Sequence, residues 1–351
     1  MIKINDKIIS NDAPAFIVAE VGANHNGDIN LAKESIDAAS QCGVDAVKFQ
    51  TYTAEELLSN KDMQYTYKYG NNKEITQTLK EMFDMVTFKR EFHKEIYDYA
   101  AKKGLICFST PFSLEGVEFL ETLNNPIYKI ASSDVNYVDM LEVIGRLQKP
   151  VFLSTGKCTL AEMDMAINLL EENGTKDLCL LHCVTNYPSK MEHMNLNVIK
   201  TLKQMYPQCV IGFSDHSLGI TATLGAVCFG AKIIEKHFTI DKNLKGPDHW
   251  FSMDPIDMKN IVNEVRNLEI AFGDQRKLLP QNEVPEKHWA TRSLHLKRDL
   301  KAGDIITKDD LDMLRPGYGI SPFDRDKVIG LRLSKDVKKG EVLEWSHFQI
   351  S

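Results

Sequence analysis

Two histidines, two lysines and a set of hydroxyls stand at the ends of short apolar runs, where their chemistry would be exposed to a ligand. VIGFSDH ends on His216 and KIIEKHF carries His237. If these runs are neighbouring strands, two neutral imidazoles could hold Mn²⁺, Fe²⁺, Co²⁺ or Zn²⁺ and leave positions open for water and substrate. The plainer alternative is that each ring hydrogen-bonds a loop carbonyl. Asp215 and Glu235 flank the pair and are expected to orient the rings. Lys48 in VDAVKFQ and Lys129 in IYKIASS each end an apolar run, so each needs an anionic partner or a depressed pKa. With the hydroxyls of Thr110, Ser132, Ser154 and Ser214 they would form a receptor for phosphate and carboxylate. A Schiff-base lysine is one alternative, and lysines simply paired with Glu20 or Asp134 are another. Glu20, at the end of FIVAE, suits proton handling or gripping a hydroxyl. Gln50, Thr185 and Tyr187 follow similar runs, and Asp248 sits in a turn, GPDHW, whose function the pattern leaves open. NHNG (Asn24 to Gly27) reads as a turn first.

These residues need elements that bring them together. Eight β-branched apolar runs alternate with helical patterns, which implies a parallel sheet covered on both faces. Eight units over roughly 250 residues match a (β/α)8 TIM barrel, an α/β fold with its chemistry at the C-terminal strand ends. The segment MIKINDKIIS is expected to form a hairpin plugging the barrel bottom. The first strand should begin near Phe16, and the first helix should run from Asp28 to the stop at Gly43. A long insertion, Thr53 to Lys103, carries the tyrosine-rich stretch MQYTYKYGNNKE and two helical patterns, and is expected to be a lid or substrate wall. The barrel domain spans 1–275, a proline-containing linker 276–290, and a small β-rich domain 291–351. In that tail LKRDLKAGDII (Leu296 to Ile306) is echoed by LSKDVKKGEVL (Leu333 to Leu343). Each copy is expected to be strand, turn and strand, with Gly303 or Gly340 at positive φ.

The formal charge of the 351-residue chain is -7, which argues against nucleic acid as a partner. The tail from Thr291 carries 12 basic and 10 acidic residues, leaving 30 against 39 for the rest, so an anionic substrate must be drawn by a local lysine cluster. Seven cysteines without CxxC spacing, several in apolar runs (Cys107, Cys183, Cys209, Cys228), read as buried thiols in a reducing compartment. No signal-peptide core and no membrane-length apolar run is visible, so a soluble cytoplasmic protein is expected.

The motifs AEVGANHNGD, VKFQTY, STPF, YKIASSD, LSTG, HCVTNYP, GFSDH, EKHFT and GPDH, in this order, resemble the sialic acid (nonulosonate) synthases. RSLHLKRDLKAGDIIT and LRPGYGISP are similar to their antifreeze-like (SAF, β-clip) domain. The resemblance implies condensation of phosphoenolpyruvate with an N-acetylated hexosamine to a sialic, legionaminic or pseudaminic acid. It implies a divalent cation on His216 and His237, manganese first, with magnesium or cobalt as alternatives. It assigns Lys48, Thr110, Lys129, Ser132, Ser154 and Ser214 to phosphoenolpyruvate, and Glu20, Gln50, Tyr187 and Asp248 to the sugar. Catalysis would fall to Glu20, Lys129 and the two histidines. Arg315 would enter the site of the partner subunit in a domain-swapped homodimer. YKIASSDVN is nearer the pseudaminic branch and GPDH nearer the sialic and legionaminic branches, while MQYTYKYGNN matches no motif of the family.

Overall fold

The structure, a computed structural model, describes residues 1–70 and 73–349, so Asn71 and Asn72 of the tyrosine-rich stretch lie outside the described residues. The chain divides into two compact units, Met1–Gly273 and Asp274–Ser351.

In the first unit β1 (Ile2–Ile4) and β2 (Lys7–Ile9) form an antiparallel hairpin. The barrel opens with β3 (Phe16–Gly22) and β4 (Ala46–Thr51). A second hairpin, β5 (Gln64–Tyr69) and β6 (Lys73–Thr78), interrupts it. The barrel resumes with β7 (Ile106–Pro111), β8 (Tyr128–Ile130), β9 (Val151–Ser154), β10 (Leu178–Cys183), β11 (Val210–Asp215) and β12 (Ile233–His237). Strands β3, β4 and β7 to β12 close on themselves as a parallel eight-stranded barrel, the TIM-barrel architecture.

Side chains alternate along each strand, so one set points outward to the helices and the other into the barrel. Outward residues such as Ile17, Val47, Cys107, Tyr128, Leu153, Leu180, Phe213 and Ile234 join one large core with the surrounding helices. Inward residues at the bottom, including Phe16, Val18, Ala46, Phe108, Ile127, Phe152 and Leu181, pack with Ile2, Ile4 and Ile9 of the first hairpin. The hairpin is therefore the expected plug. Inside this packing Gly212 has no room for a side chain: a Cβ there would lie 2.4 Å from Leu181 Cδ2 and 2.8 Å from the Ile233 carbonyl. The apolar filling stops one layer below the strand ends, and the next inward positions are Glu20, Lys48, Thr110, Lys129, Ser154, Ser214 and Glu235, all buried.

Both helical patterns expected between Thr53 and Lys103 form helices, Leu79–Val86 and Arg90–Lys102. The tyrosine-rich part of the insertion is the β5–β6 hairpin, since alternating Tyr and Thr with β-forming neighbours favours a strand. Of the two helical patterns only Leu79–Val86 belongs to the insertion, while Arg90–Lys102 packs on β7 as an ordinary barrel helix. The first helix, Ile29–Cys42, is capped by Asp28 and stopped by Gly43 at φ 82°. Cys228 is exposed at the end of helix Thr221–Cys228, contrary to its expected burial, because its apolar run is a one-sided helix and not a strand.

In the second unit the stretch read as linker contains a short helix, Val284–Ala290, whose proline sits in the first turn where a missing N–H costs nothing. Strands β13 (Ser293–Leu296) and β14 (Leu311–Leu314) pair antiparallel. Gly303 and Gly340 adopt φ 95° and 77° as expected. The flanking segments are not regular hairpin strands, however. The repeats bond to each other: Leu300 and Val337 exchange both backbone hydrogen bonds, Gly303 N–H donates to the Leu333 carbonyl, and Gly340 N–H to the Leu296 carbonyl. These are equivalent positions, so the two copies are related by an approximate two-fold axis that joins Leu296, Leu300, Leu333, Val337 and Leu343 in one small core. Among the described residues no helix is long and apolar enough to cross a membrane.

Candidate active site

Strand register builds the floor of the site. Glu20 pairs with Lys48 on one side and with His237 on the other, Gln50 pairs with Thr110, and Ser214 pairs with both Glu235 and Cys183. Because all are inward positions at the same end of a closed barrel, their side chains converge. A register shift between Glu20 and Gly22 adds a bulge at the end of β3. Gly22 takes φ 52°, and a Cβ there would lie 2.8 Å from Glu20 Oε1, so the bulge keeps space for the carboxylate.

The resulting cavity measures about 810 Å³, a size typical of small-molecule sites. The barrel residues expected to bind the anion, the sugar or the cation all line it: Glu20, Lys48, Gln50, Thr110, Lys129, Ser132, Ser154, Tyr187, Ser214, His216, His237 and Asp248. Arg315 belongs to the second unit, where it is exposed just after β14. NHNG does not contribute chemistry: Asn24 Nδ2 donates to the Phe238 carbonyl and to Ser252 Oγ, fastening the turn.

The lysines are buried, not solvated. Lys48 Nζ lies 2.6 Å from Glu20 Oε2 and donates to Thr110 Oγ1 at 3.1 Å. Lys129 Nζ donates to Ser154 Oγ at 2.7 Å and lies 3.4 Å from Glu235 Oε1. Glu235 also stands 3.8 Å from Lys48 and accepts from Ser214 Oγ at 2.9 Å, so it bridges both ammonium groups. Burial pushes the Lys48 pKa down, but Glu20 and Glu235 more than offset it and hold the ammonium form. Burial dominates at Lys129 and lowers its pKa. Glu20 is raised by burial, only partly countered by Lys48. Gln50 Nε2 donates to the other Glu20 oxygen at 2.8 Å.

The rings of His216 and His237 lie 5.2 Å apart, with Tyr187 against both. Burial depresses both pKa values, His216 to about 4 and His237 well below its ordinary range, so both are neutral at pH 7. His216 Nδ1 is 3.0 Å from the Val184 carbonyl, which can only accept, so Nδ1 carries the proton and Nε2 the lone pair. His237 Nδ1 is buried with no hydrogen-bond partner, and Asp248 Oδ2 is 3.5 Å away. Asp215 and Glu235 do not orient these rings as expected. Strand alternation turns Asp215 outward to Lys236, Thr223 and Ser217, and points Glu235 at the lysines. No cluster of three or more His, Cys, Asp or Glu with metal-holding geometry occurs among the described residues. Two adjacent neutral imidazoles, one oriented through its second nitrogen by a carbonyl and one with an orphaned buried nitrogen, nonetheless fit a divalent cation completed by water and substrate.

Sequence reasoning assigned Glu235 a different role and missed Cys183, Lys157 and the insertion residues Tyr65 and Lys68, all of which line the cavity. Glu235 was accessible by period two, being the inward residue before His237.

Residues 35–277 match the NeuB family and residues 291–349 the SAF domain. The chain is 40% identical over 338 residues to N,N'-diacetyllegionaminic acid synthase of Legionella pneumophila, covering 95% of this chain and 94% of that protein. It is 36% identical over 340 residues to pseudaminic acid synthase of Campylobacter jejuni, covering 97% and 98%. The crystal structure of N-acetylneuraminic acid synthetase from Leptospira borgpetersenii, in complex with citrate, superposes with a TM-score of 0.72 at 32% identity, over 81% of this chain and 94% of that one. A closed barrel with this site and a repeated β module defines an enzyme of the synthase type. The chain belongs to the NeuB family and carries a SAF domain.

Proposed function

We propose that the enzyme joins phosphoenolpyruvate to the aldehyde carbon of an N-acylated amino sugar, giving a nine-carbon 2-keto sugar acid and inorganic phosphate. The carrying observation is the cavity floor, where two buried ammonium groups and the hydroxyls of Thr110, Ser154 and Ser214 meet opposite two neutral imidazoles. A phosphate and a carboxylate are the ligands that match such donors. The relatives named as legionaminic and pseudaminic acid synthases support the same reading.

In the reaction, C3 of the enol forms a bond to the aldehyde carbon, whose oxygen takes a proton. Water adds to the electron-poor C2, and the bond from C2 to the bridging oxygen breaks, so phosphate leaves with that oxygen. Lys48, Lys129, Ser132 and Ser154 hold the anion so that the two carbons meet without a bimolecular entropy cost. Glu20, its carboxyl raised by burial and aligned by Gln50, is placed to give or take the sugar-side proton. Gln50, Tyr187 and Asp248 line the sugar side of the cavity. His216 and His237 would hold a divalent cation, Mn²⁺ or else Mg²⁺ or Co²⁺, which supplies Lewis-acid polarisation of a carbonyl oxygen. Arg315, exposed on the tail unit, would complete the cavity of a second copy in a swapped homodimer. The seven cysteines are free thiols, in keeping with a reducing, cytoplasmic setting.

The test is phosphate release from phosphoenolpyruvate carrying ¹⁸O at the bridging position, with Mn²⁺ and N-acylated amino sugars. The label should appear in the phosphate. A Schiff-base aldolase, which the lowered Lys129 pKa would also suit, would instead use pyruvate, release no phosphate and be trapped by borohydride.

A further inference from the structure

The turn NHNG after β3 and the loop carrying GPDHW after β12 are fastened to each other by buried polar side chains. The loop leaves β12 through Thr239 and returns at Met253. Thr239 N–H donates to the Met253 carbonyl at 2.9 Å, and Met253 N–H to the His237 carbonyl at 2.8 Å. Within the loop, Asp248 Oδ2 stands 3.5 Å from His237 Nδ1, a nitrogen without a hydrogen-bond partner. That ring does not hold the carboxylate, so the loop backbone sets its place. Ser252 Oγ donates to the Asp248 carbonyl at 2.6 Å. Asn24 Nδ2 donates to Ser252 Oγ and to the Phe238 carbonyl, each at 2.9 Å. His249 Nε2 is 3.3 Å from Asn26 Oδ1, which can only accept, so Nε2 carries the ring proton and Nδ1 accepts from Thr239 Oγ1 at 2.7 Å. Asn24, Thr239, His249 and Ser252 are at most 1% exposed. A Cβ on Gly246 would lie 2.6 Å from His249 Cδ2 and 3.0 Å from Asn26 Oδ1, so the glycine of the loop leaves room where ring and turn meet.

We infer that Asn24, His249 and Ser252 are positioning residues, which lock the loop onto the turn and so fix Asp248 at the sugar side of the cavity. The inference rests on the condensation reading above, in which Asp248 faces the amino sugar. A buried polar network rigidifies the backbone it holds, because each broken link strands a desolvated group. Here it spans the seam between β12 and β3, where His237 and Glu20 pair in register. The clamp therefore ties the loop of Asp248 to the strand that carries Glu20. Misplacing a substrate-facing group by about 1 Å can cost about 100-fold in rate. Lys48, Lys129 and Ser154 stand on β4, β8 and β9, which supply none of these links. Loosening the clamp should thus disturb the sugar and spare the anion.

The experiment measures KM for phosphoenolpyruvate and KM for the sugar separately. Phosphate release is followed from the full chain with Mn²⁺ and the better of N-acetylmannosamine and a diacetamido-trideoxyhexose. Ser252→Ala should raise KM for the sugar by about tenfold or more and leave KM for phosphoenolpyruvate unchanged. His249→Phe, which keeps a ring in the space and loses both links, should do the same. His249→Gln, whose amide N–H can still reach Asn26 Oδ1, should recover most of that loss. Against an Asp248→Ala background neither change should raise the sugar KM further. Neither KM depends on the folded fraction, and Ser252→Ala, which removes a single oxygen, carries the test if His249→Phe does not fold. An unchanged sugar KM, whatever happens to kcat, makes these residues merely structural and overturns the inference. A parallel rise in both KM values, a glutamine no better than phenylalanine, or a further rise in the double variants overturns it equally. If Asp248→Ala keeps the wild-type sugar KM, the inference falls while the condensation reading stands. Failure of the wild type to release phosphate with either sugar sinks the condensation reading, and this inference with it.

Discussion

Lys48 and Glu20 occupy paired positions on adjacent strands, and Nζ and Oε2 lie 2.6 Å apart at the bottom of a cavity, both almost sealed from bulk water. Such a pair is held by its neighbours more than it stabilises the fold. The desolvation of two charges is close to what their attraction returns, but removing one partner strands the other. Lys48→Met should therefore cost about 3–5 kcal/mol of stability. The double variant with Glu20→Met should cost less than the sum of the singles by roughly 0.5–3 kcal/mol. Urea denaturation at pH 7 of the four proteins measures the cycle, and strict additivity would show that the contact is not coupled.

Much of this arrangement was legible before any coordinates. Period-two alternation in eight runs is a strong signal because an inward or outward position has no middle ground, and the polar residue ending each run could be placed at one barrel mouth. The roles of Asp215 and Glu235 were misjudged because both were assigned by nearness in sequence to the histidines. Adjacent residues on a strand face opposite ways, so Asp215 went to Lys236 and Thr223. The hairpin Gln64–Thr78 was hidden for another reason. Its strands are mostly exposed and rich in Lys, Glu and Thr, and Tyr67 is their one buried side chain, so the alternation carried by the tyrosines is only weakly hydrophobic. The mutual bonding of the tail repeats was likewise beyond reach, since a repeated sequence states that two units are alike but not that each completes the other.

The two neutral imidazoles lead to a second expectation. Because a cation that binds only the folded chain stabilises it by mass action, Mn²⁺ at about 100 times its Kd should add roughly 2.7 kcal/mol. For a chain of this size that is a rise of several degrees in the thermal midpoint. His216→Ala and His237→Ala should each abolish the rise and the turnover while the apo protein still unfolds cooperatively. A full manganese shift in either variant would place the cation elsewhere.

Stability should fall in mild acid through buried histidines other than the strand-end pair. Burial lowers His25 to about 3, aided by His93 and His249, and lowers His93 to about 4. The unfolded value is near 6.5, so between about pH 6.5 and 4 the unfolded chain binds protons that the folded chain refuses. Stability is therefore complete above about pH 6.5 and declines below it, by up to ~1.4 kcal/mol per pH unit for each ring. His93 contacts Thr51 Oγ1 and the Lys89 carbonyl, which a glutamine amide could also serve. His93→Gln should make the decline between pH 6.5 and 4.5 shallower in urea midpoints, and an unchanged slope would remove His93 from the account.

Sharing of sites between subunits makes the last prediction. If Arg315 of one copy completes the cavity of another, Arg315→Ala and Glu20→Ala should each be nearly inactive. Mixed and reassociated, half of the dimers pair one variant with the other. In each of these one cavity combines an intact Glu20 barrel with an intact Arg315, and the other cavity lacks both. Recovery should therefore approach about a quarter of wild-type activity at random exchange, because only one site in four is whole. Recovery should rise with the fraction of mixed dimers, which native mass spectrometry can count. Verified mixed dimers without recovered phosphate release would mean that Arg315 serves its own chain or no site at all.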